Sequence, residues 1–180
     1  FYDVAVSNVP FGVGIADKNY PPFITKGIHN YFFARALDKV RPGGVVAFIT
    51  SRYTLDGVDT QVRAYLAERA DFLGAVRLPN TAFKDTAGTS VTTDLIFLRK
   101  REEGKERSGE TWEKTETIAD RTSGSLITIN EYFVTHPHML LGEMELAGTM
   151  YRGGEPTLTA PQGQNLPQAG GGDPEPRQLH

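Results

Sequence analysis

Asn8, Val9, Pro10 and Phe11 follow directly on a short apolar segment, and their types and spacing suit chemistry on an amine. Residues 2–7 before them have the pattern of a buried strand. In an open α/β sheet, ligands bind at the carboxyl ends of the strands. An Asn side-chain oxygen, the backbone carbonyl of Val9 and an aromatic ring would meet there. Two acceptors beside a stacking surface suit a planar amino group, such as that of an adenine outside its stack.

Such a group of residues would favour methylation of the amine. The lone pair of an adenine amine is delocalised into the ring and attacks poorly. Acceptors at Asn8 and Val9 would favour a pyramidal nitrogen whose lone pair points at a methyl donor. Pro10 would stiffen the loop, and Phe11 would stack on the base. These groups would act through fixed positioning and electrostatics, with no need of a metal.

The elements that must position these residues follow the order strand, helix, strand, helix, strand, strand. This order predicts an α/β fold with a parallel sheet that ends in an antiparallel pair. Asp56 is predicted to cap the second helix, whose inner stripe would hold Val58, Val62, Tyr65 and Leu66. In the last strand, Thr92, Asp94, Ile96 and Leu98 would share one face. The predicted strands cover residues 2–7, 45–50, 72–78 and 91–98, and the first helix covers residues 28–40.

Composition divides the chain into four parts. Residues 1–100 carry the α/β pattern, and residues 101–125 are charged and read as a solvated linker or a long excursion. Residues 126–151 regain apolar side chains and would form a small appended segment. Residues 152–180 are rich in Gly and Pro and are predicted to be disordered.

Net charge and cysteine content limit the classes of function. The 180 residues carry a formal charge of −3, so any contacts with nucleic-acid phosphates must come from local patches or from another part. The absence of cysteine excludes disulfides, thiolate zinc sites and cysteine nucleophiles, and it fits a cytosolic protein. No membrane span or signal peptide is visible. Because the chain opens inside a strand pattern without Met, we expect a fragment of a longer polypeptide.

Several stretches resemble a known family. Residues 7–12 resemble the catalytic Asn-Pro-Pro-Phe/Tyr motif of amino-group DNA methyltransferases that use S-adenosylmethionine. Residues 40–49 resemble the helix-to-strand turn of that fold, and residues 72–79 and 88–98 resemble its last strands. The chain is similar to the modification subunits of type I restriction systems. It is also similar to the methylase part of large phage- or plasmid-borne methylase–helicase proteins, which residues 129–142 resemble as well.

The resemblance implies part of a Rossmann-like methyltransferase sheet that methylates adenine in DNA with S-adenosylmethionine. Asn8, Val9, Pro10 and Phe11 would be catalytic, with Asn8 and Pro10 also facing the cofactor and Gly12 facing the substrate. Val9 replaces the first proline of the motif, which keeps the carbonyl but lowers the expected rigidity of the loop. In this family the Gly-rich donor-binding loop precedes the catalytic strand. We therefore expect that loop and the target-recognition part elsewhere in a larger polypeptide, and little cofactor binding or activity by this chain alone.

Three alternatives remain open at this level. A second Asn, Asn19, precedes Tyr20, Pro21, Pro22 and Phe23, but no strand pattern leads into it. We expect a flexible loop there, from which Tyr20 or Phe23 would contact the substrate. The acceptor would otherwise be a glutamine side-chain amide of a protein, because that nitrogen is also planar and conjugated. A catalytically silent DNA-binding or assembly module would also keep the fold.

Overall fold

The main sheet combines one parallel and two antiparallel strand pairs. The structure, a computed structural model, describes residues 1–10, 12–82, 92–147 and 155–160. The strands lie in the order β1-β2-β4-β3, with β1 parallel to β2 and β4 antiparallel to both β2 and β3. This topology confirms the predicted α/β class and its antiparallel finish. The strands are β1 (Tyr2–Asn8), β2 (Val40–Ser51), β3 (Ala70–Leu78) and β4 (Thr93–Lys100).

One face of this sheet is covered by helices. The predicted first helix is present, and its buried side chains Phe33 and Leu37 pack toward the sheet, where the rings of Phe33 and Phe48 lie 5.0 Å apart. Alternation in β4 is also as predicted, since Asp94, Ile96 and Leu98 are buried. The helices are α1 (Pro22–Thr25), α2 (Ile28–Lys39), α3 (Tyr53–Asp56) and α4 (Gln61–Ala67).

The start of α4 differs from the prediction. Asp56 does not cap it, because Asp56 ends α3 and its carboxylate is buried, whereas α4 begins at Gln61. Val58 is 77% exposed and therefore lies outside the inner stripe. Leu66 is buried, with Val62 and Tyr65 packed beside the core as predicted.

Strand β1 is present but is not buried. Tyr2, Val4 and Val6 are 66%, 54% and 75% exposed. Side chains of a strand alternate between its faces, so these three residues share one face with Asn8. Because β1 forms the edge of the sheet within the described residues, the apolar pattern that predicted burial has no cover here.

The charged segment after β4 packs along the outer edge of β3. Gly109 forms a parallel bridge with Phe72, and the Glu110 N–H donates to the Phe72 carbonyl at 2.9 Å. Trp112 is 1% exposed and stacks on the Phe72 ring at 4.7 Å between centroids. The segment is therefore an excursion that returns to the sheet, and a solvated linker does not describe it.

The rest of the described chain adds two hairpins and a short helix. The first hairpin pairs β5 (Thr115–Ala119) with β6 (Leu126–Asn130), and the second pairs β7 (Glu143–Ala147) with β8 (Glu155–Thr159). Between them lie α5 (Glu131–Thr135) and a 3₁₀ turn (Pro137–Met139). The prediction of disorder is wrong for β8, where Leu158 is fully buried. The remainder of that predicted tail lies outside the described residues.

The helices of the described ranges are short. The longest, α2, has 12 residues, and no helix among them is long and apolar enough to cross a membrane.

Candidate functional site

The predicted motif lies at the carboxyl edge of the parallel pair β1–β2. Asn8 is the last residue of β1 and pairs with Ile49 of β2. The ladder continues one residue further, because the Val9 N–H donates to the Ile49 carbonyl at 2.9 Å. The sheet therefore fixes the backbone of both residues where the sequence predicted it.

Both predicted acceptors are free within the described part of the chain. The Asn8 side chain is exposed and takes part in no hydrogen bond there, and no described donor reaches the Val9 carbonyl. By contrast, the Ser7 hydroxyl donates to the main-chain carbonyl of Asn8 at 3.3 Å. A side-chain oxygen and a backbone oxygen on consecutive residues thus remain available for two N–H groups of a ligand.

Val9 is held more firmly than its sequence suggested. Its side chain is 1% exposed and belongs to the main hydrophobic core. Proline has no N–H, so the bond to Ile49 is one that the usual motif residue could not make at this position. Burial and this added hydrogen bond restrain the residue where a proline ring would otherwise restrain it. The expected fall in rigidity is therefore offset at Val9.

The residues after Val9 lead to the start of α2. Pro10 and Gly12 are exposed, and Phe11 lies outside the described residues. A β-carbon added at Gly12 would lie 3.9 Å from Cγ2 of Ile28, the first residue of α2. The roles predicted for Asn8 and Pro10 at the cofactor, and for Gly12 at the substrate, stay predictions.

The segment between Gly12 and α2 closes on itself, with ends that meet in a bridge. Val13 pairs with Gly27, and the Ile15 N–H donates to the Thr25 carbonyl at 3.0 Å. Gly14 permits this approach, since a β-carbon there would lie 1.8 Å from the Thr25 carbonyl oxygen. We name residues 13–27 the closed loop. It contains α1, which the sequence prediction missed.

Tyr20 and Phe23 anchor the closed loop to the helices. Tyr20 is 7% exposed, and its hydroxyl donates to Asp38 of α2. Burial and this hydrogen bond raise the pKa of Tyr20 to about 12. Phe23 meets the Tyr65 ring of α4 edge-on at 5.9 Å. The second Asn-containing motif is thus an anchored turn, and Tyr20 would reach a substrate only by leaving this packing.

Arg52 lies at the same edge and was missed by the sequence analysis. It follows the last residue of β2, just as Val9 follows β1, and its guanidinium carbon lies 4.3 Å from the centre of the Tyr53 ring. Its side chain is 10% exposed. Its place directly after a buried strand was the available signal, since Asn8 was found by the same rule.

A buried ionic group lies next to Arg52. Arg77 is bound by both carboxylate oxygens of Asp94, at 2.7 and 2.8 Å, and by Asp56 at 2.7 Å. The second Asp56 oxygen accepts the Asn130 N–H at 2.9 Å. Burial raises the pKa of Asp94, with Arg77 opposing that effect. The group joins β3 and β4 to α3 and β6, so Asp94 does more than satisfy a backbone group.

The comparisons with known proteins point to methylases. No model of a known protein family matches the chain. Defense against restriction protein B of Escherichia phage P1 is 38% identical over 104 residues, which are 55% of this chain and 4% of that protein. The methylase subunit of the type I restriction enzyme EcoEI of Escherichia coli is 31% identical over 110 residues, which are 58% of this chain and 22% of that subunit. The chain therefore spans less than a quarter of each relative.

Solved structures with a related arrangement are also methyltransferases or modification proteins. One is a Listeria monocytogenes protein assigned to the class I S-adenosylmethionine-dependent methyltransferases, with 20% identity, a TM-score of 0.47 and coverage of 61% of this chain and 35% of that one. The M protein of the type I restriction enzyme EcoKI has 21% identity, a TM-score of 0.45 and coverage of 62% and 23%.

Proposed function

We propose that this chain carries the amine-binding part of an S-adenosylmethionine-dependent methyltransferase that acts on the exocyclic amine of adenine in DNA. The observation behind the proposal is the pair of unengaged acceptors, the Asn8 side-chain oxygen and the Val9 carbonyl, at the carboxyl end of β1. Sequence similarity to a type I methylase subunit supports methyl transfer as the reaction.

In this mechanism the chain's own residues hold the nucleophile. The Asn8 oxygen and the Val9 carbonyl accept the two N–H groups of the amine, which directs the nitrogen lone pair away from the base plane. The β1–β2 ladder fixes both acceptors before the substrate arrives, so no reorganisation is needed during the reaction. Pro10 and Phe11 extend the site toward the base. S-adenosylmethionine supplies the electrophilic methyl group.

The exposed strand β1 supports the further proposal that the cofactor is held by another part of a larger polypeptide. Val4 and Val6 are more than half exposed on a strand whose outer edge has no partner within the described ranges. The free acceptors fit the amine half of a methyltransferase site. A further strand and covering helices, with the cofactor-binding loop, would complete the sheet next to β1.

Substitution of Asn8 tests the proposal in the full-length polypeptide. Asn8→Ala removes one acceptor and should lower methyl transfer from labelled S-adenosylmethionine to DNA by about a hundredfold or more, in line with the loss of one preorganised polar contact at a reacting group. Asn19→Ala is the matched control, because Asn19 belongs to the second motif and its side chain bonds only to the neighbouring Asp17. It should leave the rate unchanged.

Two results would contradict this function. Full activity of Asn8→Ala would remove Asn8 from the site, and a loss in Asn19→Ala alone would move the site to the closed loop. The same assay with a glutamine-bearing protein as acceptor tests the substrate, because transfer to that protein and not to DNA would exclude adenine.

A further inference from the structure

Arg52 is placed to meet whatever flanks the proposed amine site. Asn8 pairs with Ile49, and Arg52 follows Ile49 by three residues. Three residues of extended chain span about 10 Å, so the backbone of Arg52 lies within that distance of the strand pair that carries the motif. An arginine side chain at this position lies at the same edge of the sheet as Asn8.

The guanidinium of Arg52 has unused donors. Its nearest carboxylates are Asp56 at 3.7 Å and Glu155 at 3.8 Å, and both distances exceed a hydrogen bond. Within the described residues, no group accepts a hydrogen bond from this guanidinium.

Both carboxylates are engaged elsewhere. Asp56 accepts from Arg77 and from the Asn130 N–H, and Glu155 accepts from the Tyr53 hydroxyl at 2.7 Å. A guanidinium carries five N–H groups in a planar fork. Arg52 therefore presents a fixed positive charge whose hydrogen-bonding capacity its neighbours leave open.

We propose that Arg52 binds a backbone phosphate of the DNA substrate beside the target nucleotide. The inference rests on the proposed function, since it assumes that a flipped adenine occupies the Asn8 site. The phosphates of a flipped nucleotide stay attached to it through the sugar, so they must pass this edge of the sheet. Arginine binds phosphate oxygens bidentately through its fork.

The neighbours of Arg52 fit this role. The Tyr53 ring lies against the guanidinium and fixes its plane. Glu155 is 64% exposed in its side chain and faces the same guanidinium, so it competes with a phosphate for Arg52 and repels it. Removal of that charge should therefore strengthen DNA binding, which a purely structural role of Arg52 would not produce.

The experiment measures DNA affinity of the full-length polypeptide at several salt concentrations by fluorescence anisotropy of a labelled duplex. Loss of one phosphate contact lowers the slope of log K against log salt by about 0.9. We expect this reduction and severalfold weaker low-salt binding for Arg52→Gln, an unchanged slope for Arg52→Lys, and tighter binding for Glu155→Gln. The reduction should be the same for unrelated DNA sequences, because phosphates carry no sequence information.

Arg41→Gln is the matched control, because Arg41 lies near the opposite end of the same strand β2 and pairs with exposed Asp3. It should leave the slope unchanged. A wild-type slope in Arg52→Gln, with or without a lower melting temperature, would overturn the proposal. So would a slope change limited to one DNA sequence, or equal changes in the two arginine variants.

Failure of this inference is separable from failure of the proposed function. If Asn8→Ala abolishes DNA methylation while Arg52→Gln keeps the wild-type slope, the function stands and the phosphate contact falls. If Arg52→Gln reduces the slope while Asn8→Ala methylates DNA normally, the phosphate contact stands and the amine site falls.

Discussion

Val9 shows how one residue can replace another in a motif by a different physical route. A proline restrains its backbone through its ring, whereas Val9 is restrained by a buried side chain and a hydrogen bond to Ile49. Both routes leave the carbonyl of this residue free. The chemistry proposed here depends on that carbonyl, so either residue would serve it.

This view predicts the behaviour of Val9→Pro. The variant loses the N–H that bonds to Ile49, and the Ile49 carbonyl loses its donor, so the free energy of unfolding should fall by about 1 kcal/mol. Methyl transfer by the full-length polypeptide should persist, because residue 9 keeps its carbonyl. Urea unfolding and the methylation assay measure the two effects. Inactivity in a variant that is still folded would show that the Val9 side chain or N–H matters to the chemistry.

Tyr20 gives the fold a dependence on alkaline pH. Burial and the bond to Asp38 raise its pKa to about 12, above the usual value of 10.0. A raised folded pKa means that this contribution to stability is complete below pH 10 and is lost as the pH rises toward 12. Tyr20→Phe cannot ionise, so its stability should fall less over that interval than the wild type's.

Chemical denaturation at pH 9 and at pH 11 measures this difference directly. Tyr53→Phe is a suitable comparison, because Tyr53 is 56% exposed. Equal alkaline losses in the wild type and in Tyr20→Phe would contradict the assignment.

At the scale of elements, the segment 101–114 contributes to the core through Trp112. Its ring stacks on Phe72 and is almost fully buried, and its indole nitrogen has no hydrogen-bond partner within the described residues. The segment therefore packs through aromatic area, with no polar contact from the indole.

Two substitutions of Trp112 separate these contributions. Trp112→Ala should lower the free energy of unfolding by about 3–5 kcal/mol, the usual cost of emptying a large aromatic site. Trp112→Phe should cost much less, because it keeps a stacking ring and loses no hydrogen bond. Urea unfolding of both variants measures the difference. Equal losses would indicate that the indole nitrogen has a partner after all.

Local patterns predicted the elements whose partners are near in sequence. Helix α2 and strands β2, β3 and β4 were found from periodicity, and Asn8 from its place after a strand. Asp56 was misread as a cap, because a cap requires only local information, whereas its true partners Arg77 and Asn130 lie 21 and 74 residues away. Trp112 was discounted because its polar neighbours in sequence hide the ring it meets in space.

Exposure was the least predictable property. An apolar alternation shows that a strand face is suited to burial, but it does not show what covers that face. Val6 has this pattern and is 75% exposed. Strand β8 was missed for the opposite reason, since its flanking Gly and Pro residues mask a short strand that pairs only with β7.

At the scale of the whole molecule, β1 presents an apolar edge strand to solvent. Such an edge is a template for pairing with another chain. We therefore predict that the isolated 180-residue chain self-associates, and that Val6→Lys reduces this association by placing a charge on the exposed face. Sedimentation velocity over a range of concentrations measures it.

Val58→Lys is the matched control, since Val58 is 77% exposed and lies outside the sheet. It should leave the association unchanged. A wild-type chain that stays monomeric at high concentration would contradict the prediction, as would an equal effect of the two lysine variants.

The closed loop also makes the molecule convenient to label. The sequence has no cysteine, so Lys18→Cys would introduce a unique thiol at an exposed position of that loop. The bridge between Val13 and Gly27, with the Tyr31 hydroxyl bound to Asp17 at 3.0 Å, holds the loop on either side of the label. A dye attached there would sit on a fixed mount and report the arrival of a quencher-tagged oligonucleotide in real time.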